Sequence, residues 1–270
     1  MAYGITPELI AQDTQFDVLG GAAGAILGLL ALLRARPGAG VLDAAVACGR
    51  HLLTHSHAGA GAGRAWRTLE EQCLTGFSHG AAGIAYALER LHAATADAAF
   101  LKASVKGVAH EQALFSTAKA NWPDLRGVAQ GQAPLYLSQW CHGACGIGLA
   151  RLGSVTLPTG AGRQRDIDSA LTVMRQRELQ TMDNLCCGNF GRIETLLVAA
   201  RELDRPDLAS QASREAAAVL ERARLAGGFR LFANLPISVH NPGFFQGTSG
   251  IGYQLLRLAW PELPCVLLWQ

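Results

Sequence analysis

Three cysteines carry the clearest chemistry in this chain. Cys141 stands in Trp140-Cys-His-Gly143, and Cys186 and Cys187 stand side by side in Leu185-Cys-Cys-Gly188. A catalytic zinc takes three protein ligands in a tetrahedral arrangement and keeps the fourth position for water or substrate. Three thiolates match that count. Each cysteine segment runs straight into a glycine pair that opens a helix, whose positive dipole end favours thiolate over thiol. Zn²⁺ with three thiolates has a net negative formal charge, where two cysteines and a neutral histidine would leave none. Such a metal is a weak Lewis acid that leaves a thiolate in the fourth position loosely held and nucleophilic. The set therefore suits activating a thiol better than polarising a carbonyl. Other readings of the same residues stay open. Cysteine is often simply buried, which is the reading for Cys48, Cys73 and Cys265. Adjacent cysteines can close a vicinal disulfide. Cys145 is a competing ligand, although its place between two glycines points it into helix packing.

A thiol nucleophile also needs proton handling. His79 and His142 each directly precede a first glycine, and Asp17 lies shortly before another. A histidine near neutrality can take a thiol proton or deliver one to a developing enolate. Each of the three has an ordinary alternative as a helix cap or a satisfied core group, and Asp17 in particular reads as an N-cap.

The elements that would bring these residues together form a repeat. Gly-x-x-Gly occurs as Gly21-Ala-Ala-Gly24, Gly80-Ala-Ala-Gly83, Gly143-Ala-Cys-Gly146, Gly188-Asn-Phe-Gly191 and Gly247-Thr-Ser-Gly250. The stretches that follow, such as Ile84-Ala-Tyr-Ala-Leu88 and Ile147-Gly-Leu-Ala150, are apolar nearly all round and suit an inner layer. Residues 165–180 and 205–224 alternate apolar and charged positions at helical spacing and suit an outer layer. The pattern predicts an all-α fold, a double-layered α/α toroid of helical hairpins. A generic helical solenoid would use the glycines only as turns and would string the special residues along a line. Their shared register instead places them on one rim.

Bulk properties narrow the field. The chain has 270 residues, 50% of them hydrophobic and 16% charged, with net charge +2. That supports a buried core and is too mild a charge for nucleic-acid binding by electrostatics. The segment 18–33 has no charged residue, but it is shorter than the roughly 20 apolar residues of a spanning helix and contains four glycines, so no membrane span is expected. The N-terminus has no basic segment followed by an apolar one, and seven cysteines in a helical chain do not read as a secreted disulfide framework. A reducing cytoplasm is the expected location.

Residues 16–25 (Phe-Asp-Val-Leu-Gly-Gly-Ala-Ala-Gly-Ala), residues 76–85 (Gly-Phe-Ser-His-Gly-Ala-Ala-Gly-Ile-Ala), Trp140-Cys-His-Gly-Ala144 and Cys186-Cys-Gly-Asn189 together resemble the lanthionine synthetase C-like family. Asn121-Trp-Pro-Asp-Leu-Arg126 and residues 241–253 (Asn-Pro-Gly-Phe-Phe-Gln-Gly-Thr-Ser-Gly-Ile-Gly-Tyr) resemble the C-terminal cyclase domain of class II, LanM-type lanthipeptide synthetases. The resemblance runs over essentially all of residues 1–270. It implies a zinc-containing toroid that adds peptide cysteine thiols to dehydroalanine or dehydrobutyrine, giving lanthionine and methyllanthionine rings. By position it implies Cys141, Cys186 and Cys187 as ligands, His79 as the active-site histidine, Asp17 as the motif aspartate and His142 beside the metal. The partner it implies is a dehydrated precursor peptide, with an upstream dehydratase domain.

Two departures from the family pattern stand out. Many members have Cys-His where this chain has Cys186-Cys187, so the chain resembles a three-cysteine subgroup. The family ring has about seven hairpins, and five glycine motifs are present here. The expectation is a C-terminal portion of a cyclase domain, lacking the first two hairpins and the dehydratase domain. Two other function classes compete with a cyclase: a non-catalytic remnant that binds peptide or a partner domain, and a zinc-thiol transferase such as a prenyltransferase. The second usually needs a carboxylate and a histidine among its ligands, and no such combination stands beside these cysteines.

Overall fold

The computed structural model describes residues 4–69, 72–128, 132–154, 162–176 and 178–270. Its described residues form ten α-helices and one two-stranded ribbon. A short α1 (Pro7–Gln12) precedes the hairpins α2 (Ala22–Ala35) with α3 (Ala39–Thr54), α4 (Ala81–Thr95) with α5 (Ala98–Leu114), α6 (Ala144–Leu152) with α7 (Arg163–Gln176), and α8 (Asn189–Glu202) with α9 (Pro206–Ala226). A fifth inner helix, α10 (Thr248–Ala259), is followed by a 3₁₀ turn, Val266–Leu268. Strands β1 (His57–Ala58) and β2 (Arg64–Ala65) pair antiparallel between α3 and α4.

Each odd-numbered helix from α3 to α9 packs on its hairpin partner, while α2, α4, α6 and α8 pack in succession on one another. Two layers result, and the fold is an α/α toroid, as the repeat predicts. The layers differ as their sequences do. Every residue of α6 is buried, and ten of the fifteen in α4 are. On α9 only Leu208, Ala212, Ala216, Val219 and Ala223 are buried, a single stripe at helical spacing. Pro206 pre-sets the first turn of α9, and Gly227 ends it at φ 79.

Two details differ from the sequence reading. The uncharged run of α2 suits an inner layer closed on every side, but its buried residues lie on one face and Gly28 is exposed. Among the described helices, α2 packs chiefly on α3 and α4. The fifth motif yields an inner helix without a following outer helix, so the hairpins number four among the described residues.

The glycine motifs have one geometry. A Cβ at the second glycine of each pair would meet the carbonyl oxygen six residues earlier, at 2.0 Å for Gly24 and Gly83, 1.8 Å for Gly146, 2.1 Å for Gly191 and 1.9 Å for Gly250. The chain doubles back over the helix start so tightly that no side chain fits. At Gly146 the obstacle is the Trp140 carbonyl, and the Phe77 side chain lies at 2.8 Å. Neither can withdraw, because Trp140 and Phe77 are fully buried. Gly146→Ala is expected to destabilise the fold by about 3 kcal/mol or more, or to prevent folding, as read by chemical denaturation. An unchanged denaturation midpoint would contradict this packing.

Buried ion pairs tie the layers. Arg151 of α6 donates to Glu111 of α5 at 2.7 Å and to Asp166 of α7 at 3.2 Å. Arg192 of α8 pairs with Glu215 of α9, and Arg257 of α10 pairs with Glu194 of α8. All of these groups except the half-buried Glu215 are buried, so each buried charge depends on its partner. Among the described residues, no helix is long and apolar enough to cross a membrane.

Candidate metal centre

The loops before the inner helices meet on one rim and are laced by backbone hydrogen bonds. Val18 N–H donates to the Ser78 carbonyl (3.0 Å), Ser78 N–H to Cys141 (3.2 Å), Cys141 N–H to Cys186 (3.2 Å) and Cys186 N–H to Phe245 (2.9 Å). One bond thus links each of the five motifs to the next. Gly76 makes the approach of the second motif to the third possible. It sits at φ +103, and a Cβ there would lie 2.7 Å from the Cys141 carbonyl oxygen and 3.0 Å from the His142 Cα. Glu111 holds it from behind by accepting the Gly76 N–H at 3.0 Å.

This lacing brings Cys141, Cys186 and Cys187 together although 45 residues separate the first from the second in sequence. Their sulfurs all lie within 4.8 Å of one another. Cys141 Sγ is 3.5 Å from Cys187 Sγ, and Cys187 Sγ is 3.4 Å from Cys186 Sγ. All three thiols are free. Thiolates at about 2.3 Å from a tetrahedral zinc stand roughly 3.8 Å apart, so the sulfurs need only small adjustments to hold one ion.

The electrostatics favour a cation. Hydrogen bonds from the Cys141 and Cys186 thiols hold the Cys187 thiol far below its ordinary range, to about 3, and Arg126 adds to that. The hydrogen bonds that Cys141 gives to Cys186 and Cys187, together with burial, push Cys141 well up. For Cys186 the bond with Cys141 works downward, but the bond to Cys187 and burial outweigh it, and the thiol is pushed up to about 12. Ionisation is therefore favoured at Cys187 and opposed at Cys141 and Cys186. A divalent ion removes that opposition, and the donor set fits zinc.

Cys145, the competing ligand, faces away. Its Sγ lies 3.0 Å from Thr195 Oγ1 and 3.5 Å from the Gly191 carbonyl, fully buried between α6 and α8. Cys48 and Cys265 are buried, and Cys73 is half-buried.

Asp17 and His79 meet across the first two motifs. His79 Nδ1 donates to Asp17 Oδ2 at 2.6 Å. Asp17 Oδ1 accepts the N–H groups of Leu19 (3.0 Å) and Gly20 (2.8 Å). The aspartate therefore closes its own turn and orients the histidine at once, but it is not the N-cap of α2, whose Ala22 N–H is accepted by Asp13 Oδ2 at 2.8 Å. It is 1% exposed against 18% for the His79 side chain, which reaches toward the rim. His142 stacks on His79 with ring centroids 5.8 Å apart. Both its ring nitrogens are buried without a hydrogen-bond partner among the described residues, and Asp124 Oδ1 lies 4.0 Å from Nδ1. Burial, helped by the nearby Arg126 charge, lowers the His142 pKa to about 4.

Several residues of the site carry no signal that sequence reasoning used for a role. Arg126 grips Asp124 through Nε (3.0 Å) and Nη2 (2.8 Å), and its positive charge acts on Cys141 and Cys187. Asn184 Oδ1 accepts the Cys187 N–H at 2.8 Å, while its amide donates to the Leu231 carbonyl. Asn189 staples the loop before the cysteines by donating to the carbonyls of Gln180 and Met182, each at 2.9 Å. The segment Asn121-Trp-Pro-Asp-Leu-Arg126 could have pointed to Arg126. Nothing local marks Asn184.

Fold and site together define a helical toroid with a cluster of three cysteine thiols on its rim. The model of the lanthionine synthetase C-like protein family matches residues 3–268, and the chain belongs to that family. Among solved structures it is similar to nisin cyclase, with a TM-score of 0.63 and 18% identity over 95% of this chain and 67% of that one. That likeness is one of fold. No curated protein matches the sequence.

Proposed function

We propose that the chain is a zinc-dependent lanthipeptide cyclase, adding peptide cysteine thiols to dehydroalanine or dehydrobutyrine to form thioether rings. The observation that carries this reading is the three-sulfur cluster beside the Asp17–His79 pair, on the rim of a toroid of the lanthionine synthetase C-like family. Cys141, Cys186 and Cys187 would hold the ion, which when bound keeps a substrate thiol ionised and nucleophilic.

The chain's own residues handle the proton and the developing charge. The sulfur forms a bond to the β-carbon, the double-bond electrons move toward the neighbouring carbonyl, and the thiol's proton ends on the α-carbon. With Nδ1 committed to Asp17, His79 keeps Nε2 to take up and deliver that proton. His142 walls the same space by stacking on His79. Arg126 supplies a fixed positive charge near the cluster, where negative charge accumulates as the enolate forms. The partner is a cysteine-containing peptide already dehydrated by another activity, for which an upstream dehydratase domain is the natural source. Residues 1–270 are read as one cyclase domain working in the reducing cytoplasm.

Incubating the zinc-loaded chain with a dehydrated, cysteine-containing peptide and alkylating the remaining thiols tests this. Ring formation blocks thiols and reduces the alkylated mass. If chelation leaves ring formation unchanged, the catalytic reading fails. Full zinc occupancy without ring formation would assign a non-catalytic, peptide-binding role. Arg126→Gln is expected to lower kcat about 10-fold while zinc binding stays within about threefold. Zinc binding that falls in parallel with kcat would make Arg126 a prop for the cysteines instead.

A further inference from the structure

The C-terminal tail reaches the loops that carry the cysteine cluster. Cys265, Leu267 and Leu268 are almost fully buried although they follow the last helix. Tyr86 Oη of α4 donates to the Leu268 carbonyl at 2.9 Å, and Arg34 at the end of α2 donates to the Trp269 carbonyl. Leu268 also packs where α6 ends, 2.9 Å from where a Cβ on Gly153 would stand. The tail is thus gripped by three inner helices from different hairpins.

Its final aromatic ring then meets the loops themselves. The Trp269 ring lies 6.3 Å from Trp140, 6.4 Å from Phe77 and 6.2 Å from Phe245, centroid to centroid. Trp140 also stacks on Phe245 at 5.2 Å and meets Phe77 at 5.4 Å. Each of these three rings is one step from the cysteine lacing. Trp140 directly precedes Cys141. Phe77 precedes Ser78, whose N–H and hydroxyl both donate to the Cys141 carbonyl. The Phe245 carbonyl accepts the Cys186 N–H. Trp269 itself sits at φ 54, a left-handed conformation that costs a non-glycine residue about 1 kcal/mol. Such a conformation persists only where the surroundings hold it.

We propose that Trp269 is a positioning residue for the metal centre: the tail packs one ring against Phe77, Trp140 and Phe245 and so fixes the spacing of Cys141 and Cys186. The inference rests on the three-cysteine reading of the metal centre and goes beyond it by assigning the site's geometry to a segment remote from it in sequence. The apolar packing of Trp269 explains its stability contribution in any case. What a positioning role adds is an effect on the sulfurs that stability alone does not produce.

Co²⁺ tests this without substrate, because its thiolate charge-transfer and d–d bands report sulfur number and geometry. The full chain, Trp269→Ala, Trp269→Leu and Trp269→Phe are titrated with Co²⁺ at low temperature, where circular dichroism shows each to be folded. Phe100→Leu serves as a stability control, since Phe100 is a fully buried residue of α5 outside the aromatic cluster. Trp269→Ala and Trp269→Leu are expected to weaken Co²⁺ binding at least about 10-fold and to shift the d–d bands. Trp269→Phe should recover most of both, and Phe100→Leu should lower the melting temperature with no spectral change. Should Trp269→Ala fail to fold, Trp269→Leu decides alone. Wild-type affinity and spectrum in Trp269→Leu would overturn the proposal, as would an equal loss of affinity in Phe100→Leu. A wild-type chain that takes up no Co²⁺ overturns the three-cysteine reading itself, a result distinct from either.

Discussion

Cys187→Ala is expected to lose its zinc and to bring ring formation down to the uncatalysed rate. Cys187 is the sulfur common to both short contacts, 3.5 Å to Cys141 and 3.4 Å to Cys186, so its removal takes away the central member of the cluster. Binding energies of about 10–16 kcal/mol for four-ligand zinc sites correspond to roughly 3 kcal/mol per ligand. The loss of one ligand should therefore weaken zinc by at least about 100-fold. Electrostatics works in the same direction. Cys187 is the thiol most readily ionised, and without it a cation must draw two protons from thiols whose burial opposes ionisation. Serine should not rescue, since a hydroxyl is a poor substitute for a thiolate at this metal. Cys145→Ala is the paired control. Its sulfur faces Thr195, so metal content should be unchanged. Competition with a chromophoric chelator measures both variants, and ring formation is read by thiol alkylation. Retained zinc in Cys187→Ala, or lost zinc in Cys145→Ala, would reverse the ligand assignment. Acid should release zinc from the wild type, because every ligand must lose its proton to bind.

The parts of this site that were legible in the sequence are those that a repeat announces. The Gly-x-x-Gly pairs are readable because the chain passes so close to each helix start that only glycine fits, as the 1.8 Å clearance at Gly146 shows. Residues just before those pairs share a register, so Cys141, Cys186, Cys187, His79 and His142 could be assigned to one rim without any knowledge of contacts. Cys145 could be placed inside the helix packing for the same reason. What was hidden depends on contacts between distant segments. The carboxylate of Asp17 divides its two oxygens between its own turn and a histidine 62 residues away, and sequence reasoning had to leave cap and catalytic roles as alternatives. Asn184 looks like any polar loop residue until its amide is seen bridging the Cys187 N–H and Leu231. Trp269 looks like a terminal apolar residue until its ring is found against Trp140. The one-sided burial of α2 was equally hidden, since an uncharged run shows that a helix is apolar and not how many neighbours it has.

The second large effect is expected at the Asp17–His79 pair, and it separates proton handling from metal binding. His79→Ala should keep its zinc, because the histidine touches none of the three sulfurs by hydrogen bond, and should lower the ring-forming rate by about 10²–10⁴-fold, the usual weight of a positioned general acid or base. Asp17→Asn tests the arrangement more finely. Asparagine keeps an Oδ1 for the Leu19 and Gly20 N–H groups, so the turn and the fold should survive. In place of Oδ2 it presents an amide N–H to His79 Nδ1. The histidine must then carry its proton on Nε2, leaving no acceptor where the substrate thiol's proton has to go. A loss of about 100-fold in rate with unchanged zinc content and melting temperature is the expected outcome. Asp17→Ala should add a loss of stability of about 1 kcal/mol, because the turn's hydrogen bonds are lost as well. Single-turnover rates on a dehydrated peptide, with zinc content measured on the same samples, make the comparison. If His79→Ala works within about threefold of the wild type, proton transfer runs through another group. His142, stacked on His79 with its ring nitrogens unpartnered among the described residues, would be the next residue to replace.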